Sequence, residues 1–355
     1  MTAIKKPVVC FLGPVASYTH QATLDRFPED KYELLPVVTI KDVFDTTQSG
    51  RATYGVVPFE NSTNGSVVFT LDHFADRQGL YPDLSVCAEI YLDVHHSTPL
   101  ALRQHRPPPA IFFPPSLLAS ATTPPRRANA LRPPRTRPPQ EPRSRPLVPL
   151  TRIERIYSHP QAFGQCTRFL SAYLKGVETV DVSSTSRAAE LVRDDPSGTS
   201  AAISSAAAAR LLRDQGVEVL AHNIEDREDN TTRFFVLRAD SRAPGPDDLL
   251  LDDGSSPEQQ PRDQQKTKSL LSFTVPHTAP GALADVLSCF RAAGLNLTSI
   301  ASRPSLEAPF QYVFFVEFEG HLSADPEGKV ARVLEQVKQV AQGSRWLGSW
   351  VNQRR

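Results

Sequence analysis

The stretch Gly55-Val56-Val57-Pro58-Phe59-Glu60-Asn61-Ser62 indicates the fold of this chain. An apolar run opens it, as is typical of a strand buried inside a sheet, and three polar residues follow where that strand would end. Open α/β sheets bind ligands beyond the carboxyl ends of their strands. The stretch therefore predicts both a helix-covered sheet and a polar site at its edge.

Strand and helix patterns alternate in the middle of the chain. The predicted strands cover 153–157, 177–182 and 201–204, and the predicted helices cover 161–174, 188–192 and 205–213. Such alternation predicts a parallel α/β sheet covered by helices.

A second, smaller unit is predicted over 268–355. Its strands are expected at 270–275, 295–302, 312–318 and 346–351, and its helices at 281–293 and 328–340. This β-α-β-β-α-β order is that of ferredoxin-like folds.

Two segments interrupt these patterns. Residues 101–150 contain 14 of the 32 prolines, nine arginines and one acidic residue. Too few apolar residues remain to offset the entropy of ordering them, so 101–150 is predicted to be disordered. Either it is a basic or polyproline recognition arm, or it is a tolerated insertion (even a translated intron), and long structureless loops are rare enough to favour the latter. Residues 239–267 are expected to form a flexible linker between an α/β domain at 7–238 and the unit at 268–355.

Composition argues against several classes of protein. The 355 residues carry no formal net charge, so neither a nucleic-acid partner nor a membrane surface is expected. The apolar run at 8–12 is too short for a signal peptide, which favours a cytoplasmic location. Four isolated cysteines and nine histidines without ligand spacing predict neither a metal site nor a disulfide framework. The pair His95-His96 is expected to be packed or at the surface rather than to bind a metal.

Four segments place polar residues at predicted strand ends. They are 13–20, 55–66, 157–161 with Gln165 on the following helix, and 229–234. Each alone is explained by helix capping or a surface ion pair. Together they predict one cleft that binds an anion and supplies weak acids, because none contains a nucleophile–base pair or a nucleotide-binding loop.

In the same order, these four segments resemble those of prephenate dehydratases, and the resemblance extends over nearly the whole chain outside 101–150 and the linker. The unit at 268–355 resembles the ACT regulatory domain that follows the catalytic domain in that family. Ala301 departs from the pattern, because the family usually has Glu there. The resemblance implies a two-lobed catalytic domain like a type II periplasmic binding protein. One lobe would comprise 7 to about 80 and about 223 to 238, and the intervening chain would form the other.

The resemblance also implies a reaction, the loss of water and carbon dioxide from prephenate to give phenylpyruvate, without a cofactor. Thr232 would donate to the departing hydroxyl, and Arg233 would either clamp a carboxylate or act as an orienting partner. The implied catalytic residues are Thr232, Arg233, Glu60 and Asn61, and the implied substrate-binding residues are Ser17, Ser62, Ser158, Gln161, Gln165, Ser184 and Thr185.

Feedback inhibition by phenylalanine is implied by the ACT-like unit. The matching positions are Gly281, Ala282, Leu283, Asn296, Ser302, Arg303 and Pro304. ACT domains usually bind effectors between subunits, so a homodimer or a dimer of dimers is expected. With no chorismate mutase segment before Val8, a monofunctional enzyme is expected. Two alternatives remain open, an arogenate dehydratase and a catalytically silent sensor of aromatic amino acids.

Overall fold

The computed structural model describes residues 6–101, 141–239 and 266–354 of the chain. The predicted linker lies outside these residues except at its ends, as does most of the predicted disordered segment. The described residues form two sheets that are separate from each other, and the chain crosses between them after Asp93 and again after His222. No helix among these residues is long and apolar enough to cross a bilayer.

The first lobe is built on one sheet with helices packed against it. Its strands are β1 (Val8–Leu12), β2 (Glu33–Val37), β3 (Tyr54–Asn61), β4 (Gly65–Ser66), β5 (Leu84–Asp93) and β12 (Thr231–Ala239), and its helices are α1 (Tyr18–Arg26), α2 (Ile40–Gln48) and α3 (Val68–Ala75). The strand order is β5-β12-β3-β1-β2, with β4 paired to β3. The central strands β1, β3 and β12 are apolar on both faces, as burial between layers requires.

The second lobe has a smaller sheet of short strands. Its strands are β6 (His96–Ala101), β7 (Arg155–Ser158), β8 (Glu178–Asp181), β9 (Ser200–Ala202), β10 (Ser204–Ser205) and β11 (Val217–His222). Its helices are α4 (Pro160–Gln165), α5 (Thr167–Tyr173), α6 (Thr185–Asp194) and α7 (Ala206–Leu212), and a 3₁₀ helix covers Arg213–Gln215. The strand order is β10-β6-β9-β7-β8, and β11 pairs with β6.

Two predictions about these lobes were wrong. The sheets are mixed rather than parallel, because β5, β6, β11 and β12 all run antiparallel to neighbours. The first lobe also reaches beyond residue 80, since β5 pairs along its whole length with β12. A buried strand shows its apolar run in the sequence, but the direction and identity of its neighbours are set only when the sheet assembles.

The helix predicted over 161–174 is two helices that meet at Cys166. The backbone leaves helical geometry there, with φ −123° and ψ 24°. The carboxylate of Asp226 then accepts hydrogen bonds from the N–H groups of Thr167 and Arg168, at 3.1 and 3.0 Å. A carboxylate from 58 residues further along the chain therefore caps α5, and local periodicity carries no trace of it.

Residues 141–150 pack against the second lobe, so the predicted disorder does not extend to residue 150. Arg143 contacts the buried carboxylate of Glu225 at 2.8 Å, and the N–H of Leu147 donates to the carbonyl of Leu220. Leu150 belongs to the apolar core of this lobe. The proline-rich composition of this segment did not predict these contacts, because they depend on partners that are distant in the sequence.

The C-terminal unit, residues 266–354, confirms the ferredoxin-like order. It consists of β13 (Thr267–Thr274), α8 (Ala282–Ala293), β14 (Leu297–Pro304), β15 (Tyr312–Glu319), α9 (Lys329–Val340) and β16 (Gly343–Val351). The strand order is β14-β15-β13-β16, all antiparallel. The helices pack their apolar faces on one side of this sheet.

The other side of that sheet packs against the first lobe. Phe315 and Trp350 of the C-terminal unit share a core with Phe59 and Phe235 of the first lobe. At the sheet edge, Gly348 lies opposite Val86 of β5 and has a φ of +130°. A Cβ at Gly348 would stand 2.1 Å from the carbonyl oxygen of Val86, so only glycine permits this approach. The sheet of the first lobe and the sheet of the C-terminal unit are consequently continuous.

Candidate active site

Thr232 and Asn61 are brought together by the pairing of β12 with β3. They are direct partners in the strand register, and the Asn61 Nδ2 donates to Thr232 Oγ1 at 2.9 Å. The Oδ1 of Asn61 accepts from the backbone N–H groups of Thr63 and Asn64, which fixes the orientation of the amide. Because Thr232 Oγ1 accepts this hydrogen bond, the hydroxyl hydrogen points away from Asn61 and can be donated elsewhere.

Asn230 completes this group and was not among the predicted site residues. Its Oδ1 accepts a second hydrogen bond from Asn61 Nδ2 at 2.8 Å. The side chain is buried, and its own Nδ2 has no partner among the described residues. Asn61, Asn230 and Thr232 together form what is called here the amide–hydroxyl group. The only signal that the sequence offered for Asn230 was its place in the polar segment 229–234.

Ser62 was predicted to bind substrate, but its hydroxyl is engaged by the backbone. Ser62 Oγ donates to the carbonyl of Asp229 at 2.9 Å and accepts from the N–H of Thr231 at 3.0 Å. These bonds tie the end of β3 to the start of β12. The structure therefore gives Ser62 a part in holding the amide–hydroxyl group together.

Arg233 and Glu60 do not face this group, so the prediction that Arg233 clamps a carboxylate beside Thr232 was wrong, whereas its alternative role as an orienting partner stays a prediction. Adjacent residues of a strand point to opposite faces of the sheet, and Arg233 points toward the C-terminal unit. Its Nη2 lies 2.6 Å from Glu89 and 2.6 Å from Glu317. Glu60 stands opposite Arg233 in the register, with its carboxylate 3.9 Å from the Arg233 Nη1. Burial by itself would lower the pKa of Arg233, but Glu317 and Glu89 outweigh it and raise that pKa.

Tyr18, His96 and Gln165 form a hydrogen-bonded chain between the lobes. The hydroxyl of Tyr18, in the first lobe, lies 2.8 Å from His96 Nδ1, and His96 Nε2 lies 2.7 Å from Gln165 Oε1 in the second. His96 is buried at the point where the chain crosses, and its backbone N–H donates to Glu225. Burial lowers the pKa of His96, so the ring is neutral at pH 7. Gln165 was expected at the site, whereas His96 was expected only as a packed or surface residue.

The remaining residues predicted to bind substrate mostly serve local structure. Ser17 and Ser184 cap α1 and α6 through hydrogen bonds to backbone N–H groups. Ser158 is fully buried and donates to the carbonyl of Ile203 at 2.8 Å. Thr185, at the start of α6, is half-buried, and Gln161 is exposed. Ser205 Oγ reaches from the second lobe to the carbonyl of Ala16, which brings the α1 loop against the start of α7.

The predicted effector positions lie in the C-terminal unit, and one of them is already paired. Arg303 donates to both carboxylate oxygens of Asp72 in α3 at 2.8 Å, so its guanidinium joins the unit to the first lobe. Gly281 precedes α8 with a φ of +85°, and Asn296 and Ser302 are exposed near or on β14. Ala282 is buried, Leu283 is half-buried and Pro304 is exposed.

The fold and the site together define a class, a two-lobed α/β protein with hydroxyls and amides at the strand ends and a ferredoxin-like unit on the first lobe. Within residues 6–101, 141–239 and 266–354, no cluster of three or more metal-ligating side chains occurs. The sequence profile described as Prephenate dehydratase matches residues 9–106 and 143–242. The chain belongs to the prephenate dehydratase family. Since the profile resumes at residue 143, the segment foreign to the family is shorter than predicted.

Curated relatives agree with this assignment. A bifunctional chorismate mutase/prephenate dehydratase of Aquifex aeolicus is 31% identical over 347 residues, which cover 98% of this chain and 74% of the relative. A prephenate dehydratase of Bacillus subtilis is 28% identical over 312 residues, covering 88% of each chain.

A solved structure shows the same fold. The prephenate dehydratase of Arthrobacter aurescens, in complex with L-Phe, matches with a TM-score of 0.71 over 97% of this chain and 90% of that one. Their sequences are 23% identical, so this likeness concerns the fold.

Proposed function

We propose that this protein is a prephenate dehydratase whose proton donor is Thr232. The observation that carries the proposal is the hydrogen bond from Asn61 Nδ2 to Thr232 Oγ1, 2.9 Å long. It withdraws electron density from the hydroxyl oxygen and leaves the hydroxyl hydrogen free for an acceptor in the cleft. Both residues stand at positions that match the family's motifs.

The reaction requires little of the protein. As the hydroxyl leaves the ring, it takes a proton from the Thr232 hydroxyl and departs as water. The bond to the ring carboxylate breaks at the same time, and its electron pair completes the aromatic ring while carbon dioxide leaves. Net consumption of one proton gives phenylpyruvate, carbon dioxide and water. Thr232 recovers its proton from solvent, so no cofactor enters the balance.

Substrate oxygens have fewer candidate partners than the sequence suggested. Since Arg233 faces the C-terminal unit, the carboxylates would be held by neutral donors. Thr185 and the free N–H groups at the start of α6 are suited to one of them, because a helix N-terminus favours an anion. Gln165, held by His96, would contribute an amide N–H from the same lobe. Closing the two lobes would bring these donors toward Thr232.

The test is phenylpyruvate formation from prephenate by the wild type, by Thr232→Ala and by Thr231→Ala. Thr231 is the matched control, because its hydroxyl donates to Asp93 rather than into the amide–hydroxyl group. We expect kcat to fall by about 10² or more in Thr232→Ala and to stay within about threefold in Thr231→Ala. An unchanged Thr232→Ala would remove Thr232 from the mechanism, and an inactive wild type would favour the sensor.

Arogenate dehydratase is the neighbouring activity, because arogenate differs from prephenate only by an amine in place of the side-chain ketone. No contact among the described residues distinguishes prephenate from arogenate as the substrate. Assaying both acids with the same wild-type preparation decides, and the larger kcat/KM identifies the substrate.

We further propose feedback inhibition by phenylalanine in a homodimer or a dimer of dimers. The ferredoxin-like unit and its match to ACT sequence positions support this, and the Arthrobacter relative was solved with L-Phe. Gly281, Asn296 and Ser302 are the positions to test first, because Arg303 is already bound to Asp72. Calorimetric titration should show binding below the millimolar range, and sedimentation should show at least a dimer. No heat at millimolar phenylalanine would end the proposal.

A further inference from the structure

A buried ionic cluster joins the strand of Thr232 to the C-terminal unit. It comprises Arg233 of β12, Glu89 of β5, Glu317 of β15 and Lys268 of β13. Arg233 Nη2 contacts both carboxylates at 2.6 Å, and Lys268 Nζ lies 3.0 Å from Glu317. None of the four side chains is more than 7% exposed. The charges of two cations and two anions therefore neutralise each other while buried from solvent.

Aromatic rings enclose the guanidinium of Arg233. Its carbon Cζ lies 4.8 Å from the ring centre of Phe235, 5.3 Å from that of Phe59 and 5.9 Å from that of Trp350. Trp350 belongs to the C-terminal unit and the two phenylalanines to the first lobe. Such a box excludes water and leaves the guanidinium few alternative positions, so its place depends on the carboxylates around it.

The C-terminal unit contacts both residues that the first lobe contributes to this cluster. Glu317 holds Arg233, and the backbone N–H of Gln353 donates to Glu89 at 2.8 Å. On the opposite side, Glu60 lies within 3.9 Å of Arg233 and directly precedes Asn61. Arg233 thus stands between a carboxylate of the C-terminal unit and a carboxylate beside the amide–hydroxyl group.

The pairing of β12 with β3 is irregular at this point. Arg233 pairs with Glu60, but the next residue, Phe234, pairs with Pro58, so Phe59 bulges out of the register. Bulges redirect the strand and the side chains next to them. The distance between Thr232 and Asn61 therefore depends on a bulge whose residue packs against the Arg233 guanidinium.

We propose that Arg233 is a positioning residue for Thr232, and that Glu317 and Lys268 of the C-terminal unit act through it on the reaction. This inference rests on the proposed function. When Glu317 holds Arg233, β12 keeps Thr232 Oγ1 within reach of Asn61 Nδ2. When that hold is lost, Arg233 turns toward Glu60 and shifts the strand ends. The C-terminal unit thereby contributes to catalysis before any effector binds.

The first test is Glu317→Gln, which keeps the shape of the side chain and removes its charge. We expect kcat to fall about tenfold with KM within about twofold, because small displacements of a reacting group cost rate more than binding. Glu319→Gln is one control, since it removes an exposed charge from the same face of β15. Asp72→Asn is the other, since it breaks the Arg303 pair between the same two units without touching β12. Both controls should keep the wild-type kcat.

The second test is the pH profile of Lys268→Met. Burial alone would raise the pKa of Glu317, but Arg233 and Lys268 outweigh it and lower that pKa. The other groups that face Glu317 or Arg233 are Glu60, Glu89, Tyr91 and the Thr298 hydroxyl. Without Lys268, Glu317 should take up a proton at higher pH and release Arg233. The acid limb of the kcat profile should therefore move upward in pH, even if Glu317→Gln fails to fold.

The outcomes separate the two proposals. An active wild type with Glu317→Gln equal to Glu319→Gln in kcat, or with an unmoved acid limb in Lys268→Met, overturns this inference alone. A wild type that converts neither prephenate nor arogenate overturns the proposed function and this inference with it. A kcat loss in Asp72→Asn as large as in Glu317→Gln would show that loose docking, and not Arg233, is responsible.

Discussion

Thr232 and Arg233 are adjacent in the chain but belong to two very different surroundings. Thr232 is half-buried in a neutral amide–hydroxyl group, whereas Arg233 lies in an ionic cluster closed by aromatic rings. The pleat of β12 separates them, since neighbouring side chains point to opposite faces. The comparison teaches that one short motif can serve the reaction on one face of a strand and the assembly of the molecule on the other.

The largest expected effect separates stability from activity. Arg233→Met should lower the free energy of unfolding by about 3–5 kcal/mol, because it leaves two buried carboxylates with Lys268 as their remaining cation. Thr232→Val, nearly the same shape as threonine, should cost less than about 1 kcal/mol of stability yet lose most of the activity. Urea unfolding followed by tryptophan fluorescence measures the free energy of unfolding of both variants, and the prephenate assay measures their activity. Equal losses of stability would erase the distinction between the two faces.

A second change tests the backbone contact between the C-terminal unit and the first lobe. Gly348→Ala should destabilise the docked C-terminal unit by about 2–3 kcal/mol, since the new methyl would collide with the Val86 carbonyl at a positive φ. Gly343→Ala, on the same strand, is the control, because its Cβ would come no nearer than 3.3 Å to another atom. Limited proteolysis and thermal unfolding report the effect. Identical melting of the two variants would contradict the close approach.

Within the amide–hydroxyl group, Asn230→Ala should reduce kcat about tenfold with a small change in stability. Asn61 would lose the Asn230 Oδ1 acceptor, and its amide would be held less firmly against Thr232. Asn64→Ala removes an exposed amide from the same region and should leave kcat unchanged. Steady-state kinetics compare the two, and a normal kcat in Asn230→Ala would restrict the group to Asn61 and Thr232.

The smallest effect extends the comparison to the contact between the lobes. Because burial lowers the pKa of His96 below its ordinary value of 6.5, the unfolded chain takes up a proton first as the pH falls. Stability should therefore decline below about pH 6.5, by at most about 1.4 kcal/mol per pH unit for this residue. His96→Gln should flatten part of that decline, with His20 and His73 retaining theirs. Chemical unfolding at pH 5 and pH 7.5 checks it, and an equal slope in the variant would contradict it.

In the C-terminal unit, the sequence alone determined all six elements, with bounds within three residues of those in the structure. The periodicities of the C-terminal unit predicted each of its strands and helices, because apolar spacing at 2 or 3.6 residues is a local property. Polar residues at strand ends also indicated where a site would lie, since that rule depends on the direction of a strand and not on its neighbours.

The tertiary structure alone decided which of these polar residues act together. Asn230 and His96 acquired their importance from partners far away in the chain, and Asp226 from a helix start that it caps. Arg233 was assigned to the cleft through the family resemblance of its motif, but the pleat turned it toward Glu317, which lies 84 residues further along. Motif order survives in the sequence, whereas the face on which a side chain emerges, and what it meets there, is fixed only when strands pair and units dock.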